Sequence, residues 1–114
     1  MKARTFDYDG TSDSLFISIK NENEKISGSA EIGNIVLDFT NEGKIASIEV
    51  LGISRFLDMI KVNKNILNEL TGSELIIQKN RDSVSIFIVL KTSKIEQSIS
   101  LATIPVMQPL ASSI

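Results

Sequence analysis

A chain of 114 residues, 42% hydrophobic and 5% aromatic, reads as one domain long enough to bury a core without covalent staples. It contains no cysteine, histidine or tryptophan, and its 12 basic and 14 acidic residues leave a net charge of −2. This composition excludes disulfides, thiolate catalysis and zinc–sulfur sites, removes the commonest general base and transition-metal ligand, and argues against nucleic acid as a partner.

The opening MKARTFDYDG lacks the apolar run of a signal peptide, and no stretch approaches the roughly 20 apolar residues that span a bilayer. A cytoplasmic protein with no membrane partner is the expectation. From Arg4 to Asp9 the residues alternate, Phe6 and Tyr8 pointing one way and Asp7 and Asp9 the other. Gly10-Thr11-Ser12 is turn chemistry, and Leu15, Ile17 and Ile19 give the returning strand its inward face. Asn21 to Ser29 is polar and carries Gly and Ser, which predicts a mobile loop, followed by a short strand near Ala30 to Ile32.

The stretch Asn34 to Phe56 organises the rest: a strand, a tight turn, a second strand and the start of a helix. Ile35, Leu37 and Phe39 alternate with Val36, Asp38 and Thr40, the period of a strand with one buried face. Gly43 supplies the positive φ that a short hairpin loop needs. A two-residue loop at Glu42-Gly43 sets Ile35 opposite Val50, Leu37 opposite Ile48 and Phe39 opposite Ala46. A three-residue loop, Asn41-Glu42-Gly43, would instead set Ile35 opposite Glu49. Burying Glu49 unpaired would cost several kcal/mol, so the first register is expected, with Asp38, Ser47 and Glu49 on the other face beside Val36 and Ile45.

Leu37-Asp38-Phe39-Thr40-Asn41-Glu42-Gly43-Lys44-Ile45, followed by Ile48-Glu49-Val50-Leu51 and Ser54, resembles the hallmark of a prokaryotic family, domain of unknown function 2283. That family's second mark, a Tyr-Asp pair and then Asp-x-Leu-x-Ile, is similar to Tyr8-Asp9 and Asp13-Ser14-Leu15-Phe16-Ile17. Thr40 stands where the family tends to have an acid, and Gly52-Ile53 replace an Asp-Ala-like pair. The resemblance covers the first half of the chain. It supports the fold reading and brings no catalytic residue with it.

Ser54 occupies the place of a helix N-cap. Phe56, Leu57, Ile60, Leu67 and Leu70 then recur at helical spacings, so one face is apolar, and Phe56, Leu57, Ile60 and Leu67 should be buried against the sheet; Asn63 and Asn65 weaken the middle, leaving one helix or two short ones. Gly72 would end it in the left-handed conformation. Glu74 to Lys79, Ser83 to Lys91 and Lys94 to Thr103 read as three more strands. In the last, Ile95, Ile99 and Leu101 alternate with polar residues. The middle one is apolar on both faces, Val84, Ile86, Ile88 and Leu90 against Phe87 and Val89, as in a central strand covered twice. The tail from Pro105 should not pair, because proline lacks the donor.

The expected fold is α+β, mainly an antiparallel meander of about seven strands with one helical segment packed on it. A β-sandwich or barrel with an embedded helix is the alternative. The expected division is residues 1–53, the family-like meander; 54–71, the helical segment; 72–104, a second meander; and 105–114, the tail.

Asp7, Asp9 and Asp13 suggest a metal loop, but the positions that should carry its remaining ligands hold Thr11, Ser12 and Ser18. Asp9 and Asp13 are expected to cap the turn instead. Asp38 and Glu49 share a face and could hold Mg²⁺ in a cleft; a solvated face, or pairing with Lys44, Arg55 or Ser47, is the preferred reading. Arg55 is read as a salt-bridge partner and not as an anion site. No catalytic, cofactor-binding or metal residue is assigned. Phe87, Val89 and Phe16 on outward faces favour a homodimer, since a monomer seldom leaves a large apolar surface uncovered. The leading function is therefore a non-catalytic interaction module. The alternatives are an antitoxin-like or regulatory partner of another small protein, and a divalent-metal hydrolase using Asp38, Glu49, Asp7 and Asp9.

Overall fold

In the computed structural model, which describes residues 1–105, the alternating segments form two antiparallel sheets. The first orders its strands β1-β2-β5-β4-β3: β1 is Thr5–Asp9, β2 Ser14–Ser18, β3 Ile26–Ile32, β4 Ile35–Thr40 and β5 Ile45–Leu51. The second runs β6-β7-β8, being Gly72–Lys79, Ser83–Lys91 and Glu96–Pro105. Between them lie a two-turn helix α1, Ile53–Met59, and a 3-10 helix, Lys64–Asn68. The antiparallel α+β reading holds, with eight strands among the described residues in place of about seven. The extra pairing is in β3, whose first half, Ile26 to Ser29, was expected to be loop. That edge strand is nearly all exposed, so no apolar pattern announced it. Main-chain pairing with β4 and a bond from Ser27 Oγ to the Thr40 carbonyl (2.9 Å) hold it instead.

One apolar cluster joins the two sheets and the helices. Leu15, Ile17, Ile48 and Val50 come from the first sheet, Leu75, Ile86, Ile88 and Leu90 from the second, and Ile53, Leu57, Ile66 and Leu67 from the connection. Each such side chain contributes about 1.5–3 kcal/mol when fully buried.

The central hairpin combines the two registers that its sequence allows. Its loop is the three-residue one: the Gly43 N–H donates to the Thr40 carbonyl (2.9 Å) and the Thr40 N–H to the Lys44 carbonyl (2.8 Å), with Gly43 at φ 79°. Continued unbroken, that loop would turn Glu49 toward the core. A bulge between Asp38 and Phe39 absorbs one residue of β5, so that Phe39 pairs with Ile45 and not Ala46, while Ile35 faces Val50 and Leu37 faces Ile48. Ile45 consequently packs against the core, not on the outer face with Glu49.

The helical segment departs from expectation at both ends. Ser54 is not the N-cap; Gly52 is, left-handed at φ 69° and making no side-chain bond. Gly72 does not end the segment either, since it opens β6 opposite Lys91. The left-handed residue that stops α1 is Lys61, at φ 60°. The Val62 N–H reaches the Leu57 carbonyl (2.9 Å) and the Lys61 N–H that of Asp58 (3.1 Å), the paired bonds of a Schellman stop. Because α1 ends there, Ile60 is 40% exposed rather than buried. Asn63 then caps the 3-10 helix by accepting from the Asn65 N–H (3.0 Å).

In the second sheet β7 is central, as its two apolar faces predict. Ile86, Ile88 and Leu90 enter the shared core cluster; on the opposite face of β7, Val89 is buried, 5% exposed, and Phe87 is half-buried, both outside that cluster. The helices lie on the core side, with Ile66 and Leu67 in the same cluster as Ile88, and not over Phe87. Ile95 lies in the turn before β8, its carbonyl accepting from the Thr92 N–H (2.9 Å), and is 53% exposed. Pro105 pairs with Ser83 at the strand end, where a missing donor costs little. The remainder of the expected tail, 106–114, lies outside the described residues.

Candidate functional site

The densest polar arrangement is built around Asp13. The β1–β2 turn leaves Asp13 left-handed at φ 54°, which a short acid tolerates. Its carbonyl accepts from the Gly52 and Ile53 N–H groups (2.8 and 3.1 Å). Its carboxylate accepts from the Tyr8 hydroxyl (2.8 Å), the Ser54 hydroxyl (2.8 Å) and the Ser54 N–H (3.1 Å). Asp13 therefore caps α1 from 41 positions away in sequence, and not its own turn. The turn-capping role falls to Asp9 alone, whose Oδ1 accepts from the Thr11 N–H (2.9 Å).

Partial burial pushes the Asp13 carboxyl upward, but the bonds from Ser54 and Tyr8, with Arg55 nearby, outweigh it and hold its pKa below the ordinary value. Tyr8 moves the other way: its bond to Asp13 raises its pKa, and burial and the charges of Asp13 and Asp9 add to this. At neutral pH one group is fixed as carboxylate and the other as phenol. A general base works best with a pKa near the operating pH, so this carboxylate is poorly suited to activating the Ser54 hydroxyl. The arrangement is a clamp between a turn and a helix start.

Asp38 is held on the outer face of the first sheet by the hydroxyls of Ser29 and Ser47, the latter at 2.8 Å. Glu49 stands opposite both Val36 and Phe16, and Asp7 opposite Phe16 on the far side. Among the described residues no group of three acidic side chains could hold a metal ion. The structure thus brings Asp13 to Tyr8 and Ser54, and Asp38 to two serines, without bringing Asp7, Asp9, Asp38 and Glu49 together.

Two features carried no local signal. Lys91 bridges Glu74 (2.9 Å) and Glu96 (3.6 Å) across all three strands of the second sheet. Hydrogen bonding to Lys91 lowers the Glu74 pKa, and the same contact raises that of Lys91. The other feature is a groove of about 950 Å³ between the sheets, lined by Met1–Arg4, by the loops around Asn21 and Glu42, and by Ile77, Lys79 and Val84. The register sets Glu96 opposite Lys91 and leaves Glu74 on the diagonal; the groove follows from how the sheets meet. No helix among the described residues is long and apolar enough to cross a membrane.

Residues 5–54, the five-stranded sheet with the first two residues of α1, match the family model described as Protein of unknown function (DUF2283). The match thus includes Tyr8, Asp13 and Ser54. Neither the curated proteins nor the solved structures contain a match to the chain.

Proposed function

We propose that this protein is a non-catalytic interaction module acting as a homodimer, its two copies meeting through the outer face of the β6-β7-β8 sheet. The observation that carries this reading is the placement of Phe87 and Ile76. Phe87 sits half-buried on the central strand, outside the core cluster, and Ile76, opposite it on β6, is 38% exposed, while Val89 on the same face is already covered. The Glu74–Lys91–Glu96 triad borders this apolar stripe, giving the apolar centre and polar rim usual in subunit contacts. A symmetric pairing of the same patch on both copies closes at two subunits.

Sedimentation equilibrium tests it. The wild-type chain is expected at twice its monomer mass, and Phe87→Asp at the monomer mass with its thermal midpoint within a few degrees, because Phe87 supports no core residue. A wild-type monomer at high micromolar concentration would refute the proposal.

A further inference from the structure

We infer that the groove between the two sheets is a second docking surface, one that takes an extended acidic–apolar peptide as an added strand on the free edge of β6. The surface lies apart from Phe87, so its test is independent of the dimer.

The first observation is the main chain. The Ala3 N–H donates to the Ser73 carbonyl (2.9 Å), and Met1 and Leu75 exchange bonds in both directions (each 3.0 Å). The outward-pointing residues of β6 are therefore Ser73 and Leu75, and by alternation Ile77 and Lys79. Their register partners on β7, Ile86 and Val84, are on that count non-hydrogen-bonded pairs. Among the described residues no backbone bond reaches the outward groups of Ile77 or Lys79. Both residues line the groove, as do Met1–Arg4, so the open edge continues, inside the groove, the pairing that Met1–Ala3 begins.

The second observation is charge. The floor is apolar, from Phe39, Ile45, Ile77 and Val84. Lys2, Arg4 and Lys79 line it, and among the described residues none of the three forms an ion pair. The two acids at the same groove are engaged: Glu42 with Lys44 (3.5 Å), and Glu24 with the Asn21 N–H (2.8 Å). A chain of net charge −2 thus has a locally cationic cleft beside a strand edge that is unpaired among the described residues. Strand addition draws affinity from main-chain bonds and selectivity from alternate side chains. A segment alternating apolar residues with Glu or Asp supplies both.

The test is fluorescence anisotropy with a labelled eight-residue peptide alternating Glu and Val. Its controls are the Lys/Val peptide, a Glu/Val peptide N-methylated at alternate amides, and decanoate as competitor. The expected result is binding of the Glu/Val peptide, weakened roughly tenfold by Arg4→Glu combined with Lys79→Glu. The N-methylated peptide should bind far more weakly, and the Ile77 and Lys79 amides should gain hydrogen-exchange protection in the complex. Equal binding of the acidic and basic peptides, or of the methylated and unmethylated ones, would overturn the inference. So would binding of decanoate where the peptide fails, which would make the groove a site for an amphiphile.

Discussion

Lys61 holds a left-handed conformation that disfavours any residue with a Cβ, and it does so where helix stops usually place glycine. Lys61→Gly should therefore stabilise the protein by about 0.5–1 kcal/mol once the added freedom of the unfolded chain is counted. A higher urea midpoint at unchanged slope is the readout. Tyr8 offers a second residue-scale test because it is the chain's one tyrosine, so phenolate absorbance reports it alone. Its titration should fall above the ordinary tyrosine range, and Asp13→Ala should bring it down, since the partner that favours the phenol is gone. Asp13 itself has a lowered folded pKa, so the folded state binds fewer protons than the unfolded one. Its stabilising effect is complete above the unfolded value of about 3.9 and is lost as pH falls through the lower folded value. The stability gap between wild type and Asp13→Asn should be flat near neutrality and close below about pH 4.

At the scale of elements, the central hairpin tests how far local pattern reaches. Gly43 is in open space, where an added Cβ meets nothing within 4 Å, but its φ is 79°. Gly43→Val should cost about 1–2 kcal/mol or more through backbone strain alone, whereas Glu42→Ala loses only an exposed contact to Lys44 worth under about 1 kcal/mol. Equal melting temperatures for the two variants would contradict the loop geometry. The pairing of Ile35 with Val50 and Leu37 with Ile48 was legible because a buried Glu49 rules out the other register. The route to it was not legible. Nothing in Ile45-Ala46-Ser47 marks a bulge, because Ile45 and Ala46 are both apolar and the pattern does not say which of them pairs with Phe39. The helix ends were misleading for a related reason: Ser54 and Gly72 carry the right chemistry for caps, but Asp13, far away in sequence, had already taken the Ser54 side chain.

For the whole molecule, the shared core predicts that neither sheet is stable alone. Ile88→Ala should cost about 2–5 kcal/mol and lower one cooperative transition, with far-ultraviolet circular dichroism and Tyr8 fluorescence moving together. Residues 1–54 expressed alone should fail to fold, because Leu15, Ile17 and Ile48, fully buried in the intact chain, would lose the second sheet and the helices as their cover. Fold class was readable from alternation and turn residues. The candidate surfaces were readable only in part. Phe87 and Val89 stood out because a doubly apolar strand needs two covers, but the groove depends on how the sheets meet, which no local pattern encodes. The amino-terminal segment has a further consequence, for the order of assembly. Met1–Ala3 attaches to β6 and Thr5–Asp9 to β2, so a single run of chain ties one sheet to the other across 74 positions. Met1–Ala3 cannot settle until β6 has formed, so the tie that this segment makes between the two sheets is a late event in folding.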